Sequence, residues 1–163
     1  MRFEAALDSA GGRLVLDAID AIEVVEARQV IELAIVRLAT LRRTEADLER
    51  LRWLVFGMRQ SRNHPGAFAE FDFALHVTLS NAACNSLLAA SLSVFDEAIR
   101  EMMKGFATMA KAENRMDALV ESHAQLVEAI AEKDAHEATR IYSDMMAVLR
   151  IQSGRRQSQR LLT

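Results

Sequence analysis

Apolar residues recur along this chain at three- and four-residue intervals, the spacing that gathers them on one side of an α-helix. Leu16, Ile19, Ile22 and Val25 begin the pattern, and from Val30 to Leu41 nearly every position is apolar. A helix apolar all round is one that is buried all round, so a long central helix is predicted from about Arg13 to Arg42. Thr44-Glu45-Ala46-Asp47 has the form of a capping box with Asp as its acidic member. The helix it opens carries Leu48, Leu51, Val55 and Met58. Ser61 to His64 reads as a loop, and Pro65 stands where a first helical residue belongs. The next stripe, Phe68, Phe71, Leu75 and Leu79, predicts a helix to about Asn81. Asn85 is an N-cap for a helix striped by Leu88, Leu92, Phe95, Ile99, Met102 and Phe106. A break is predicted over Ala112 to Asn114. Leu119, Val120, His123, Leu126, Val127 and Ile130 stripe the following helix. Lys133-Asp134 turns into a last one bearing Ala138, Ile141, Tyr142, Met145, Val148 and Leu149. Residues 1–12, which end in Gly11-Gly12, are predicted irregular, residues 153–163 form a polar tail, and no strand is predicted. Residues 13–152 are therefore expected to be all-α: a single antiparallel bundle of about six to seven helices.

Composition narrows the function classes. The chain has 163 residues, a net charge of -3, 51% hydrophobic residues and one proline. That suits one domain with a substantial core. An acidic balance is not the electrostatic footprint of a nucleic-acid binder. The basic run around Arg155, Arg156 and Arg160 is short and reads as a solvated helix end. Cys84 is the one cysteine, so no internal disulfide is expected. No apolar run reaches the roughly 20 residues of a membrane span, and no signal pattern opens the chain. A cytoplasmic location is expected.

Chemistry concentrates in Phe71-Asp72-Phe73-Ala74-Leu75-His76. Asp72 and His76 lie within the apolar stripe and four residues apart, so one helical turn stacks them on the inward face. His123 occupies the same kind of position on a later helix. A carboxylate and imidazoles in an apolar interior need partners. A metal ion, a bound anion with water, or one another would each serve. Imidazole and carboxylate suit zinc, nickel, iron or manganese. Arg28 and Glu32 are also four apart; they form an intrahelical ion pair, or Arg28 turns inward to grip a carboxylate in fork geometry. Arg100, beside its helix's stripe, is a second candidate of that kind. His64, in a loop, and His136, off the apolar face, are expected to be solvated. Gly-rich phosphate loops, a Gly-x-Ser-x-Gly elbow and Glu-x-x-His pairs are absent from the sequence.

Four blocks taken together are similar to a known family. Glu26 to Glu32 with Leu41-Arg42-Arg43-Thr44 resembles the opening of the FCD domain, the C-terminal ligand-binding domain of FadR-type regulators in the GntR superfamily. Phe71 to His76 followed by Ala82-Ala83-Cys84-Asn85 resembles that family's Asp-x-x-x-His and downstream Asn. Ser122-His123, then Ala129-Ile130 and Lys133-Asp134-Ala135 with Ala138, resembles its next His block. The match runs from about Leu16 to Leu149. It implies an all-helical sensor in which one Asp and three His often hold a metal on the floor of an effector pocket, with small carboxylates as common effectors. Carried over by position, the ligands are Asp72, His76 and His123, and the fourth His falls at Met145. A thioether does not replace imidazole for zinc or nickel.

The expected function is effector sensing and dimerisation within a transcriptional regulator. The implied cofactor is a divalent metal such as zinc or nickel. The implied partners are a small carboxylate, touched by Arg28, Arg100 and Met145, and a second copy of the chain, with Trp53 and Leu54 on the pairing surface. The family's winged helix does not fit in the stretch before Arg13, so DNA contact is expected only through such a domain outside this sequence. Two other classes compete: a mononuclear two-His, one-carboxylate metalloenzyme, and a structural helical adaptor.

Overall fold

The helix predicted to be central is central. In the computed structural model, which describes the backbone of residues 2–7 and 14–160 and the side chains of residues 22–151, helix α1 (Ala21–Arg42) packs chiefly against four later helices. These are α3 (Pro65–Ala82), α4 (Ser86–Ser93), α6 (Met116–Ala131) and α7 (Ala135–Arg160), and α1 packs most extensively on α7. Helix α2 (Glu45–Gln60) lies on α3 and α6, and α5 (Asp96–Ala112) lies on α3. The described residues thus form an all-α bundle of seven helices, within the predicted range.

Local chemistry sets the boundaries. Thr44 and Asp47 form the predicted capping box: the Thr44 hydroxyl accepts from the Asp47 amide at 3.2 Å, and the Asp47 carboxylate accepts from the Thr44 amide at 2.8 Å. Pro65 takes the first turn of α3. Asn85 caps α4, its side-chain oxygen accepting from Leu87 and Leu88 amides at 3.2 Å. Asp134 does the same for α7 through the Glu137 amide at 2.9 Å. Three helices end at residues with left-handed backbone, Cys84 (φ 49°), Asn114 (φ 55°) and Lys133 (φ 58°). The amides that follow two of them bond back to Ala110 and Ala129 carbonyls, closing the terminal turn.

Three boundaries differ from the expectation. The segment ahead of the bundle is not a helix from Arg13 with an irregular leader. Strands β1 (Arg2–Leu7) and β2 (Leu14–Asp20) pair antiparallel, Leu7 opposite Leu14 and Arg2 opposite Asp20, with a bulge at Glu4. Leu16 and Ile19 therefore belong to a strand, and α1 starts at Ala21. A short apolar run satisfies either period, and only pairing decides between them. Residues 1 and 8–13 lie outside the described residues. The stripe predicted as one helix after Asn85 is split into α4 and α5, with Val94 and Phe95 between them. Its phase runs on across the break, so periodicity does not reveal it. The Ser91 and Ser93 hydroxyls bond the Leu87 and Ala90 carbonyls there, competing with the helical ladder. Finally, α7 continues to Arg160, so most of the predicted tail is helix.

Two adjacent arginines at the end of α1 tie the site-bearing helices together. Arg42 Nη1 donates to the Ala83 carbonyl at the end of α3, at 2.8 Å. Arg43 Nη2 donates to the Ala131 carbonyl at the end of α6, at 2.6 Å. Both bonds satisfy carbonyls that a helix end leaves open, and both fix α3 and α6 to the same point of α1.

Candidate metal and effector site

Asp72 and His76 on α3 face His123 on α6, as their stripes predict. His123 Nε2 lies 3.0 Å and His76 Nε2 3.3 Å from the same oxygen, Asp72 Oδ1. One ligand atom from each of the three residues lies within 4.8 Å of the others. The opposite ring nitrogens are already committed. His123 Nδ1 donates to the Leu119 carbonyl at 2.7 Å. His76 Nδ1 donates to Glu32, whose carboxylate also accepts from Arg28 Nε at 2.7 Å and from the Tyr142 hydroxyl at 2.7 Å. A carbonyl or an ionised carboxylate only accepts, so both Nδ1 atoms carry a proton. The two Nε2 atoms then converge on one carboxylate oxygen, and a positive charge must lie between: protons on the rings or a metal ion. Histidine ligands held by an Nδ1 hydrogen bond to a carboxylate or a carbonyl are the usual support of a metal site. The donor set fits a divalent metal.

Electrostatics agree with the geometry. Burial would raise the Glu32 carboxyl, but Arg28 and His76 hold it well below the usual carboxylate range. Burial acts likewise on Asp72, and His123 and His76 outweigh it. Burial would lower His76; the charge of Glu32 and the bonds to Asp72 and Glu32 instead push it up to about 9. Tyr142 is raised by burial and by Glu32, so its hydroxyl remains a donor.

A cavity of about 160 Å³ opens against this cluster, with Arg28, Asp72, His76, His123, Tyr142 and Met145 in its wall. Arg28 was expected either to pair with Glu32 or to face inward, and it does both. Its Nη1 is buried with no hydrogen-bond partner. Met145 joins the three metal-ligand candidates, as the positional carry-over implied. Arg100 does not. It bonds Glu70 at 2.5 Å and covers the Phe73 ring at 3.7 Å on the outside of the bundle, away from the cavity. Its position beside the stripe, not within it, is the reason. Sequence reasoning missed Tyr142 and Glu32 as parts of the site. Both signals existed, since each is a polar group on an apolar stripe, but only the fold brings α1 and α7 to His76. Arg115, also in the wall, was missed because it sits in the loop before α6.

An all-helical bundle with an Asp and two His in the wall of a cavity is a class of helical domain with room for a small molecule. Comparison with known proteins gives the family. Residues 23–148 match the FCD domain model, and the chain belongs to the FCD domain family found in GntR-type regulators. It is similar to the HTH-type transcriptional regulator LutR of Bacillus subtilis, 30% identical over 116 residues, which cover 69% of this chain and 52% of LutR. The chain thus spans about half the length of that relative. Among solved structures it resembles E. coli McbR/YncC (TM-score 0.67, 18% identity, 91% of this chain and 77% of that one). It also resembles Lar, described as controlling expression of the Listeria monocytogenes agr system and mediating virulence (TM-score 0.70, 19% identity, 93% and 73%). At such identities these likenesses show the shared fold.

Proposed function

We propose that this domain is the effector-sensing unit of a GntR-type transcriptional regulator in the cytoplasm, and that it binds a small carboxylate beside a divalent metal held by Asp72, His76 and His123. The observation that carries this reading is the convergence of two Nδ1-committed imidazoles on Asp72 Oδ1 at the wall of an internal cavity. Family membership supports the sensor part. The metal, when bound, supplies a Lewis-acidic positive charge at the cavity floor. The chain's own residues do the rest. Glu32 and the Leu119 carbonyl orient the two rings, and Arg28 presents a guanidinium to the same space. The cavity wall draws on α1, α3, α5, α6 and α7, so an occupant touches five helices at once. DNA contact would be made by a separate domain of the regulator.

The test is calorimetric titration of chelator-stripped protein with zinc and with nickel at neutral pH. Binding with release of at least one proton is expected, because His76 must give up its Nε2 proton to become a ligand. Running the titration in buffers of different ionisation enthalpy measures that proton. His123→Ala should weaken binding strongly. Absence of binding by either metal at millimolar concentration, in a protein whose fold is intact, would overturn the metal reading.

A further inference from the structure

The cavity lining is mainly apolar, and its polar groups are one cluster together with Arg115 and Ser122. The cluster is a hydrogen-bonded run: Arg28, His76, Asp72 and His123, with Glu32 behind them bonded to Arg28, His76 and Tyr142. The remainder of the space is bounded mainly by Met103, Phe106 and Ala107 of α5, Leu119 of α6, and Met145 and Leu149 of α7. Met145 lines the same cavity as the ligand cluster. Within the run, one buried polar atom has no partner. Arg28 is 2% exposed, its Nε is used by Glu32, and its Nη1 is buried without a partner. A buried guanidinium N–H left open costs free energy until an acceptor reaches it. The other cation in the wall, Arg115, is bonded by Glu113 at 2.7 and 2.6 Å and so is not poised for a second anionic group.

We propose that the effector is a monocarboxylate with a compact apolar body, its carboxylate taken by Arg28 Nη1 and its body lying between α5 and α7. This rests on the carboxylate-sensing reading above and adds a selectivity to it. A cavity of about 160 Å³ is of the size that holds a benzene ring, which sets the body at roughly five to eight carbons. Polyhydroxylated acids and tricarboxylates would bury hydroxyls or charges against Met103, Phe106 and Leu149 with no partner, a desolvation cost that the apolar body avoids.

The experiment measures the affinity of zinc-loaded protein for hexanoate, acetate, adipate, citrate and hexanol by calorimetry. Hexanoate is expected to bind at least about 10-fold more tightly than acetate, since each buried methylene adds favourable transfer energy. It should also exceed adipate and citrate, and hexanol should bind weakly for want of the anion. Arg28→Lys keeps the charge beside Glu32 but lacks Nη1; it should lower hexanoate affinity by roughly 10-fold or more. Ala107→Met fills the apolar end and should reduce hexanoate binding while sparing acetate. Adipate, citrate or acetate binding as tightly as hexanoate would overturn the apolar-body assignment and leave carboxylate sensing standing. Binding of zinc with no response to any of the four anions would overturn both.

Discussion

The His76 imidazole touches two carboxylates at once, and its protonation answers to both. In an unfolded chain the ring titrates near 6.5; in the fold burial opposes the charge, yet Glu32 and Asp72 raise it to about 9. The folded state therefore holds more protons than the unfolded state between these values. The stability this contributes is fully present below pH 6.5 and is lost as pH rises through about 9. Urea unfolding of chelator-stripped protein at pH 6, 7.5 and 9 should show a falling midpoint. His76→Gln should flatten that slope, and a midpoint that rises with pH would show that the ring is not a bridging imidazolium. Bound metal replaces the proton and should flatten the slope as well. Met145 sits in the same wall. Met145→His would add an imidazole facing the three ligand candidates, and should raise zinc or nickel affinity by a factor on the order of 10–100. Unchanged affinity with an intact fold would mean that position 145 does not reach the ion. At this scale the sequence was legible where a polar residue broke an apolar stripe, as at Asp72, His76 and His123. It was silent on Glu32 as the shared partner of His76 and Tyr142, because those contacts join residues 44 and 110 positions apart.

Helix–helix approach sets how precisely α3 presents its ligands. Gly57 of α2 is buried against α3, and a methyl group there would land on the Phe71 ring. Phe71 immediately precedes Asp72, and Trp53 packs edge-on to it at 5.6 Å between centroids, so the ring has little freedom to yield. In a helix, Gly→Ala normally gains about 1 kcal/mol. Overpacking here costs roughly 1–3 kcal/mol and should prevail. Gly57→Ala is thus expected to lower stability in denaturant titration and to weaken metal binding by displacing Asp72. Phe71→Leu in the same chain should restore both. A Gly57→Ala protein more stable than the parent would show that α2 and α3 separate freely. The same scale explains what sequence missed. Caps at Thr44, Asn85 and Asp134 were legible because each is one side chain acting within a turn. The β1–β2 hairpin was not, since Leu14 to Asp20 satisfies a strand period as well as a helical one and only pairing decides between them. The α4–α5 break keeps the helical phase and so leaves no mark in the stripe.

At the scale of the whole molecule, the question is which apolar surface the bundle leaves for a second copy. Helix α1 is apolar nearly all round, yet it closes on α3 and α7 and exposes mainly Val30 and Leu41. Helix α2 leaves a different surface. Trp53 and Phe56, three residues apart on one face, are 51% and 58% exposed. Leu54, expected beside Trp53 on the pairing surface, is instead 1% exposed and part of the core, because it lies on the opposite side of the helix from that face. Two large aromatic side chains in water are costly on a small domain and typical of a protein–protein contact. A two-fold pairing puts the same patch on both partners and doubles its effect. The domain is therefore expected to be a homodimer at tens of micromolar by sedimentation velocity. Trp53→Glu with Phe56→Glu should shift it to monomer while leaving its helical circular dichroism intact, since both side chains are half-exposed. A dimer that survives both substitutions would move the interface to the Val30 and Leu41 side of α1. A monomer in the parent chain would overturn the expectation.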